Sequence, residues 1–300
     1  MADATYDLAF DPHARAESLR HAMRRIAIYA FLGFFALIYL LPLFVVAANS
    51  FRDLREIAQN GLIAFPRSFS LNAWSQAWAH YCVAGTCEGI QRNFYNSLKM
   101  TIPATIISTL LGAINGYVLS KWRFPGSETL FVCMTLGVFM PGQIALLPWA
   151  FILGSVGLSN SIYGLILVHV IQGISFTTLF CRNYYVGIPD DLIKAARIDG
   201  AGFWRIFYKI VLPISPPILI VTVIWQFTGI WNEYLFGVVF TGGRQQPITA
   251  ALVALQTGQM NAHPYNIASC AVLIGAVPPL LIYFFGGKYF VRGLTQGAIK

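Results

Sequence analysis

The chain has 300 residues, of which 57% are hydrophobic and only 11% charged, with a mean hydropathy of +0.63. Soluble domains carry about a quarter charged residues, so a water-soluble globule of this size is excluded, having too little polar surface to cover its apolar groups. The formal charge of +8 does not describe a nucleic-acid surface either, because the basic residues fall in short clusters between apolar runs.

Taken in chain order, the first run is Ile26 to Ala48, which carries no charge. At about 1.5 Å per helical residue it reaches across a hydrocarbon core of about 30 Å. A polar segment with Arg15, Arg20, Arg24 and Arg25 precedes it, and no small-residue cleavage site follows, so it reads as an anchor rather than a removable signal peptide. Met100 to Ser120 predicts the second span. From Thr129 to Cys181 no Asp, Glu, Lys or Arg occurs, a stretch too long for one helix; the Gly154 to Asn160 segment, Gly-Ser-Val-Gly-Leu-Ser-Asn, predicts the turn between spans three and four. Ile210 to Asn232 predicts a fifth span and Ile267 to Phe290 a sixth, joined by a Gly- and Gln-rich connection from Thr241 to Tyr265. Prolines at 42, 103, 141, 148, 213, 216, 217, 278 and 279 interrupt the runs, as kinked helices in a bundle tolerate. The fold class predicted is an all-α integral membrane protein with six transmembrane helices: a polar segment over residues 1–25, a six-helix body over 26–290 and a tail over 291–300.

Six spans place both termini on one side. With that side cytoplasmic, most basic residues lie inside, among them Lys121, Arg123, Arg182, Lys194, Arg197, Arg205 and Lys209. Arg52, Arg55, Arg67, Arg92, Lys99 and Arg244 lie outside, all but Arg244 in a long first loop where the bias counts least. Cytoplasmic termini are therefore expected. Cys82 and Cys87 share that external loop, where an oxidising compartment permits a disulfide between them; two free thiols are the alternative. Cys133, Cys181 and Cys270 lie in or beside spans and read as inert thiols, and no metal-ligand spacing occurs.

The segment between spans four and five carries the most information. Pro189 suits the first turn of a helix, Asp190 and Asp191 its positive end, and Gly200 the left-handed residue that stops it. This predicts a short helix, a turn and a second helix, with Leu192, Ala195 and Ala196 as a small apolar face. Ala195-Ala196-Arg197-Ile198-Asp199-Gly200-Ala201, followed by Ile210-Val211-Leu212-Pro213, resembles the EAA loop of bacterial ABC importer permeases. Trp231-Asn232-Glu233-Tyr234-Leu235 and the C-terminal Tyr289 to Lys300 resemble the smaller permease of maltose-type carbohydrate importers.

That resemblance implies a coupling helix that docks on a separate ATPase through Asp191, Lys194, Ala195, Ala196, Asp199, Gly200 and Ala201. Lys194 stands where the family usually carries glutamate, so its usual ion pair needs a replacement, either an acidic partner residue or Asp191. It further implies a second homologous permease, two ATPase subunits, an external solute-binding protein and the bacterial inner membrane as location. Gly242, Gly243, Arg244 and Gln245 would face the binding protein, an ordinary connector being the other reading. No Gly-x-x-x-x-Gly-Lys-Ser/Thr loop and no nucleophile-base set occurs, so ATP and Mg are expected on the partner, no cofactor in this chain and no catalysis by it.

Polar span residues Asn115, Gln143, His169, Gln172, Gln226 and Asn232, the rings of Trp225 and Trp231, and the acid Glu233 are the substrate-pathway candidates, with helix-helix contact as the alternative for the polar and aromatic residues and solvation at the external end of span five as the alternative for Glu233. The cargo class implied is a carbohydrate or derivative, including anionic sugars or glycerol phosphates. A stand-alone secondary transporter or channel is the competing reading, and it lacks clear internal repeats, coupling charges or a filter-like ring.

Overall fold

A computed structural model describes residues 12–83, 86–257 and 264–296; the remaining parts of the predicted N-terminal segment, of the external connection and of the tail lie outside the described residues. Among the described residues the chain is helical and holds no strand, only the bridge between Val83 and Thr86. Helix α1 spans Pro12–Asn49 and is exposed from Arg20 to Phe44, joining the rest over its last turns, from Phe44 beside the Phe65 ring to the buried Ala48 and Asn49. Its rings and aliphatic chains face outward along their whole length, as lipid requires. Short helices α2 (Leu54–Asn60) and α3 (Asn72–Ser75), the latter continued by a wide turn over Gln76–His80, build a compact cap.

Helix α4 (Gln91–Lys121) and α7 (Ile162–Val186) form the centre and run parallel. They approach closely because α4 presents small residues every fourth position, Ala104, Ser108, Gly112 and Gly116. A Cβ on Gly112 would overlap Thr177, and one on Gly116 would fall 2.7 Å from the Arg182 backbone nitrogen. Thr177 Oγ1 donates to the Ser108 carbonyl at 2.7 Å, so a polar side chain inside the pair is satisfied across it.

The predicted third span is not one helix. Helix α5 (Ser127–Phe139) and α6 (Leu146–Ser155), the latter entered through a tight turn over Gly142–Ala145, meet at 101°. Met140 is extended and Pro141 has no N–H to continue the ladder. The fifth run is also corrected. After α8 (Asp190–Ile198) come α9 (Phe203–Ile206), a wide turn over Phe207–Val211 and α10 (Leu212–Ile214); this unit meets α11 (Pro216–Asn232) at 78°. Residues 210–214 thus belong to the lateral unit, because Pro216 and Pro217 reset the backbone after Ser215. Ser215 accepts this bend by bonding Tyr185 OH at 3.0 Å, and Tyr184 OH donates to the Ile214 carbonyl at 2.9 Å.

Helix α12 (Leu235–Phe240) precedes the predicted connection, and α13 (Ile248–Thr257) interrupts it. Ile248, Ala251 and Leu255 of α13 bury against Phe227, Trp231 and Cys270, so this part is core rather than loop. Helix α14 (Tyr265–Gln296) keeps Pro278 and Pro279 inside a continuous helix and packs on α11. Among the described residues four helices are long and apolar enough to cross a membrane, and up to six spans result if each bent pair counts as one.

Candidate functional site

Two ends of the bundle carry polar machinery, and hydrogen bonds fix which elements share an end. Lys121, the last residue of α4, donates 2.6 Å bonds to the Ile188 carbonyl and to Asp190 Oδ1. Arg182 near the end of α7 holds Glu128 at the start of α5 at 2.9 Å. At the other end, Asn160 before α7 accepts from the Gly242 N–H, and Asn93 and Asn96 near the start of α4 donate to the Gln246 carbonyl at 3.0 Å. The α5–α6 pair therefore runs from one end to the other despite its bend.

Helix α8 occupies the first end. Pro189 precedes it, Asp190 and Asp191 sit in its first turn, and Gly200 at φ 76° ends it. The Ala201 N–H closes the turn on the Ala196 carbonyl at 2.9 Å. Ile193 is buried among Tyr117, Cys181, Tyr185, Ile206 and Phe207, which clamps the helix onto the spans. Arg197 lies 4.1 Å over the Trp122 ring and donates to the Lys121 carbonyl at 3.0 Å. Lys121 holds the Asp190 carboxyl below its ordinary range, first through its hydrogen bond and then through its charge.

The outward face differs from the predicted one. Leu192 and Ala195 are exposed as expected, but Ala196 is half-buried against the core, and Ala201 with it. Ile198 takes that place, 86% exposed and three residues beyond Ala195. The i, i+3, i+6 spacing of Leu192, Ala195 and Ile198 was the available signal, masked in sequence by the more familiar Ala-Ala pair. Asp199 and Gly200 are exposed beside them, and Lys194 pairs at 3.2 Å with Asp191 on the surface.

The pathway candidates divide. Trp225, Gly229 and Asn232 form one exposed stripe along α11, with Trp225 stacked on Phe176 at 5.5 Å. Gln143 is exposed at the break between α5 and α6, and Gln172 is half-buried on α7. Asn115 bonds Thr178 Oγ1 at 3.4 Å and so serves the α4–α7 contact. Gln226 is buried against Gly173, and His169 is buried beside Phe236. Trp231 is no sugar platform, since it is buried and donates to the Gly275 carbonyl at 2.9 Å. Glu233 accepts the Phe236 N–H at 2.9 Å and the Gly237 N–H at 3.3 Å, so it caps α12. Among the described residues no group of three or more His, Cys, Asp or Glu side chains is placed to hold a metal ion.

At the second end Gly243, Arg244 and Gln245 are exposed. They form a held tip rather than a slack connector: Asn96 donates to the Arg244 carbonyl at 2.8 Å, and Arg244 reaches Glu88 at 2.9 Å. Glu88 also pairs with Arg92. Cys82 and Cys87 are bonded to each other nearby. A hub that sequence reasoning missed centres on Arg52, fully buried, which bonds Glu56, Asn49 and the Gly61 carbonyl. Glu56 in turn takes the Ser68 hydroxyl and the Arg67 N–H, which with Arg52 pull its carboxyl down to about 2.

Residues 108–296 match the family described as binding-protein-dependent transport system inner membrane component. A probable ABC transporter permease of Pyrococcus horikoshii is 46% identical over 187 residues, 62% of this chain and 67% of that protein. The diacetylchitobiose uptake system permease of Streptomyces coelicolor is 30% identical over 273 residues, 91% and 88% of the two chains. A solved bacterial ABC transporter involved in import of the acidic polysaccharide alginate aligns with a TM-score of 0.76 at 18% identity, covering 94% of this chain and 99% of that one.

Proposed function

This chain belongs to the family of binding-protein-dependent transport system inner membrane components, and from that premise we propose that it forms half of the translocation pathway of an ABC importer for a carbohydrate or sugar derivative. Six spans cross the membrane, counting α5–α6 as the third and α11 as the fifth, with both termini cytoplasmic. The 17 residues of α11 rise roughly 25 Å, nearly a hydrocarbon core by themselves, which leaves the α9–α10 unit to lie along the cytoplasmic face. A second homologous permease completes the passage, two ATPase subunits supply energy and a binding protein delivers cargo at the opposite end. This chain performs no catalysis.

The observation that carries the reading is α8: a short helix clamped to the spans by buried Ile193 while Leu192, Ala195 and Ile198 face outward. An apolar face so small is too narrow to bind lipid on its own and suits the floor of a partner's cleft. Closure of the ATPase pair moves α8, and Ile193, Lys121 and Arg197 transmit that motion to α4 and α7. The exposed stripe of Trp225, Gly229 and Asn232, with Gln143, offers ring and amide contacts suited to sugar hydroxyls and ring faces. The diacetylchitobiose relative supports a saccharide cargo. The held tip at Gly243–Gln245 faces the binding protein.

The test is ATP hydrolysis by the complex purified in lipid with its natural partners, with and without binding protein loaded with candidate sugars. Stimulation by one loaded sugar is expected and names the cargo. Absence of any copurifying ATPase, or indifference to every loaded sugar, overturns the reading.

A further inference from the structure

Beside the apolar face of α8 lies a groove of about 500 Å³ lined by Ser120, Lys121, Arg123, Asp190, Lys194 and Arg197. With Val186 and Ile193 eight residues line it, four of them cationic and one anionic. Two of the cations are spoken for: Lys121 is 5% exposed and held by Asp190 and the Ile188 carbonyl, and Arg197 is stacked on Trp122. Arg123 and Lys194 are not. Arg123 is 58% exposed and reaches Glu128 only at 3.8 Å, while Arg182 already holds that carboxylate at 2.9 Å. Lys194 is 70% exposed and pairs with Asp191, itself 92% exposed to solvent, while its charge and that of Arg123 act on Asp190 only through space. Exposed pairs of this kind contribute little, so both heads are free to exchange partners.

We propose that this groove receives a carboxylate of the ATPase subunit, held between Arg123 and Lys194 while Leu192, Ala195 and Ile198 seat in the same subunit's cleft. The proposal rests on docking at α8 and adds the sign of the charge that locks it. Lys194 lies between the groove and the apolar face, so a partner covering Leu192 and Ala195 brings its rim against Lys194. The competing occupant is an anionic lipid headgroup, since Lys121 ends a span. The acidic groups favour protein: Asp190 and Asp191 on α8 and Asp199 just beyond its end are exposed, and a plane of lipid phosphates would be repelled by all three. A protein rim with one acid and surrounding polar groups meets no such penalty.

The experiment titrates the purified permease pair with its ATPase in lipid-free detergent at low and high salt. For R123E/K194E, binding about tenfold weaker than the parent at low salt is expected, the difference shrinking as salt screens it. R123Q/K194Q should fall between the two, and both variants should keep the parent's thermal stability because both side chains are exposed. Equal affinity of R123E/K194E and parent overturns the groove assignment. A loss seen only in anionic nanodiscs and not in lipid-free detergent also overturns it, in favour of a lipid headgroup. Leu192→Asp separates the two layers: if it too leaves binding intact, docking at α8 has failed, whereas if it alone weakens binding, only the groove has.

Discussion

Leu192 and Ile193 are neighbours in sequence with opposite surroundings, which makes them the sharpest probe of how α8 works. Leu192 is 45% exposed and Ile193 only 4%. Ile193→Ala removes three buried carbons from the cluster of Tyr117, Tyr185, Ile206 and Phe207, where loss of transfer energy and a residual cavity together cost about 2–4 kcal/mol. That cost falls on the seat of a nine-residue helix whose other ties are the Lys121 bonds and the Arg197 stack. The helix loosens from the spans while its outward face stays intact. Leu192→Ala removes outward apolar area and no internal contact. In the reconstituted complex, Ile193→Ala should therefore retain ATPase binding but lose most stimulation of hydrolysis by loaded binding protein, with lowered thermal stability. Leu192→Ala should keep parental stability and bind ATPase more weakly. The reasoning is refuted if Ile193→Ala keeps full coupling and stability, or if the two phenotypes are exchanged.

Three further outcomes are expected. Glu56 has its carboxyl lowered from 4.5 to about 2 in the folded chain by Ser68, the Arg67 amide and Arg52, so its stabilisation of the cap around α2 is full above 4.5 and disappears as pH falls toward about 2; limited proteolysis between Arg52 and Ser68 should rise across that window in the parent, and Glu56→Gln should abolish the dependence. Gly116→Leu drives a side chain into the Cys181–Arg182 backbone and should cost about 3 kcal/mol or more, read as loss of folded protein in detergent; parental yield and melting would show that α4 and α7 are not as close as described. Deleting Gly243 and Arg244 breaks the bond to Glu88 and shortens the exposed tip, which should impair sugar uptake while binding-protein docking, measured by pull-down, persists; unchanged uptake would remove the tip from the delivery step.

The membrane character, the placing of the first, second, fourth and sixth apolar runs and the short helix and turn at 189–203 were legible without coordinates. Each depends on neighbours in sequence: a long apolar run states its solvent by composition alone, and Pro189, Asp190, Asp191 and Gly200 act within one or two turns. Helix α13 was missed because Gly242, Gly243 and the glutamines before it read as a loop, although the Ile248-Thr-Ala-Ala-Leu-Val-Ala-Leu stretch has helical spacing.

What only the tertiary structure decided depends on groups far apart in the chain. Pro103, Pro278 and Pro279 stay within continuous helices, whereas the backbone breaks at Met140–Pro141 and at Ser215–Pro216; the second break is held by Tyr184 OH, which donates to the Ile214 carbonyl from another helix, a tie that proline positions do not encode. Glu233, an acid near a span and so a functional candidate by type, is occupied by backbone N–H groups. The inward turn of Ala196 against the outward turn of Ile198 was set by where the α4–α7 pair offers a surface. The cationic groove exists because Lys121 and Asp190, 69 residues apart, meet at one end of the bundle, and no local rule brings them together. Periodicity decides that a helix has faces; only packing decides which face meets the core and which is left for a partner.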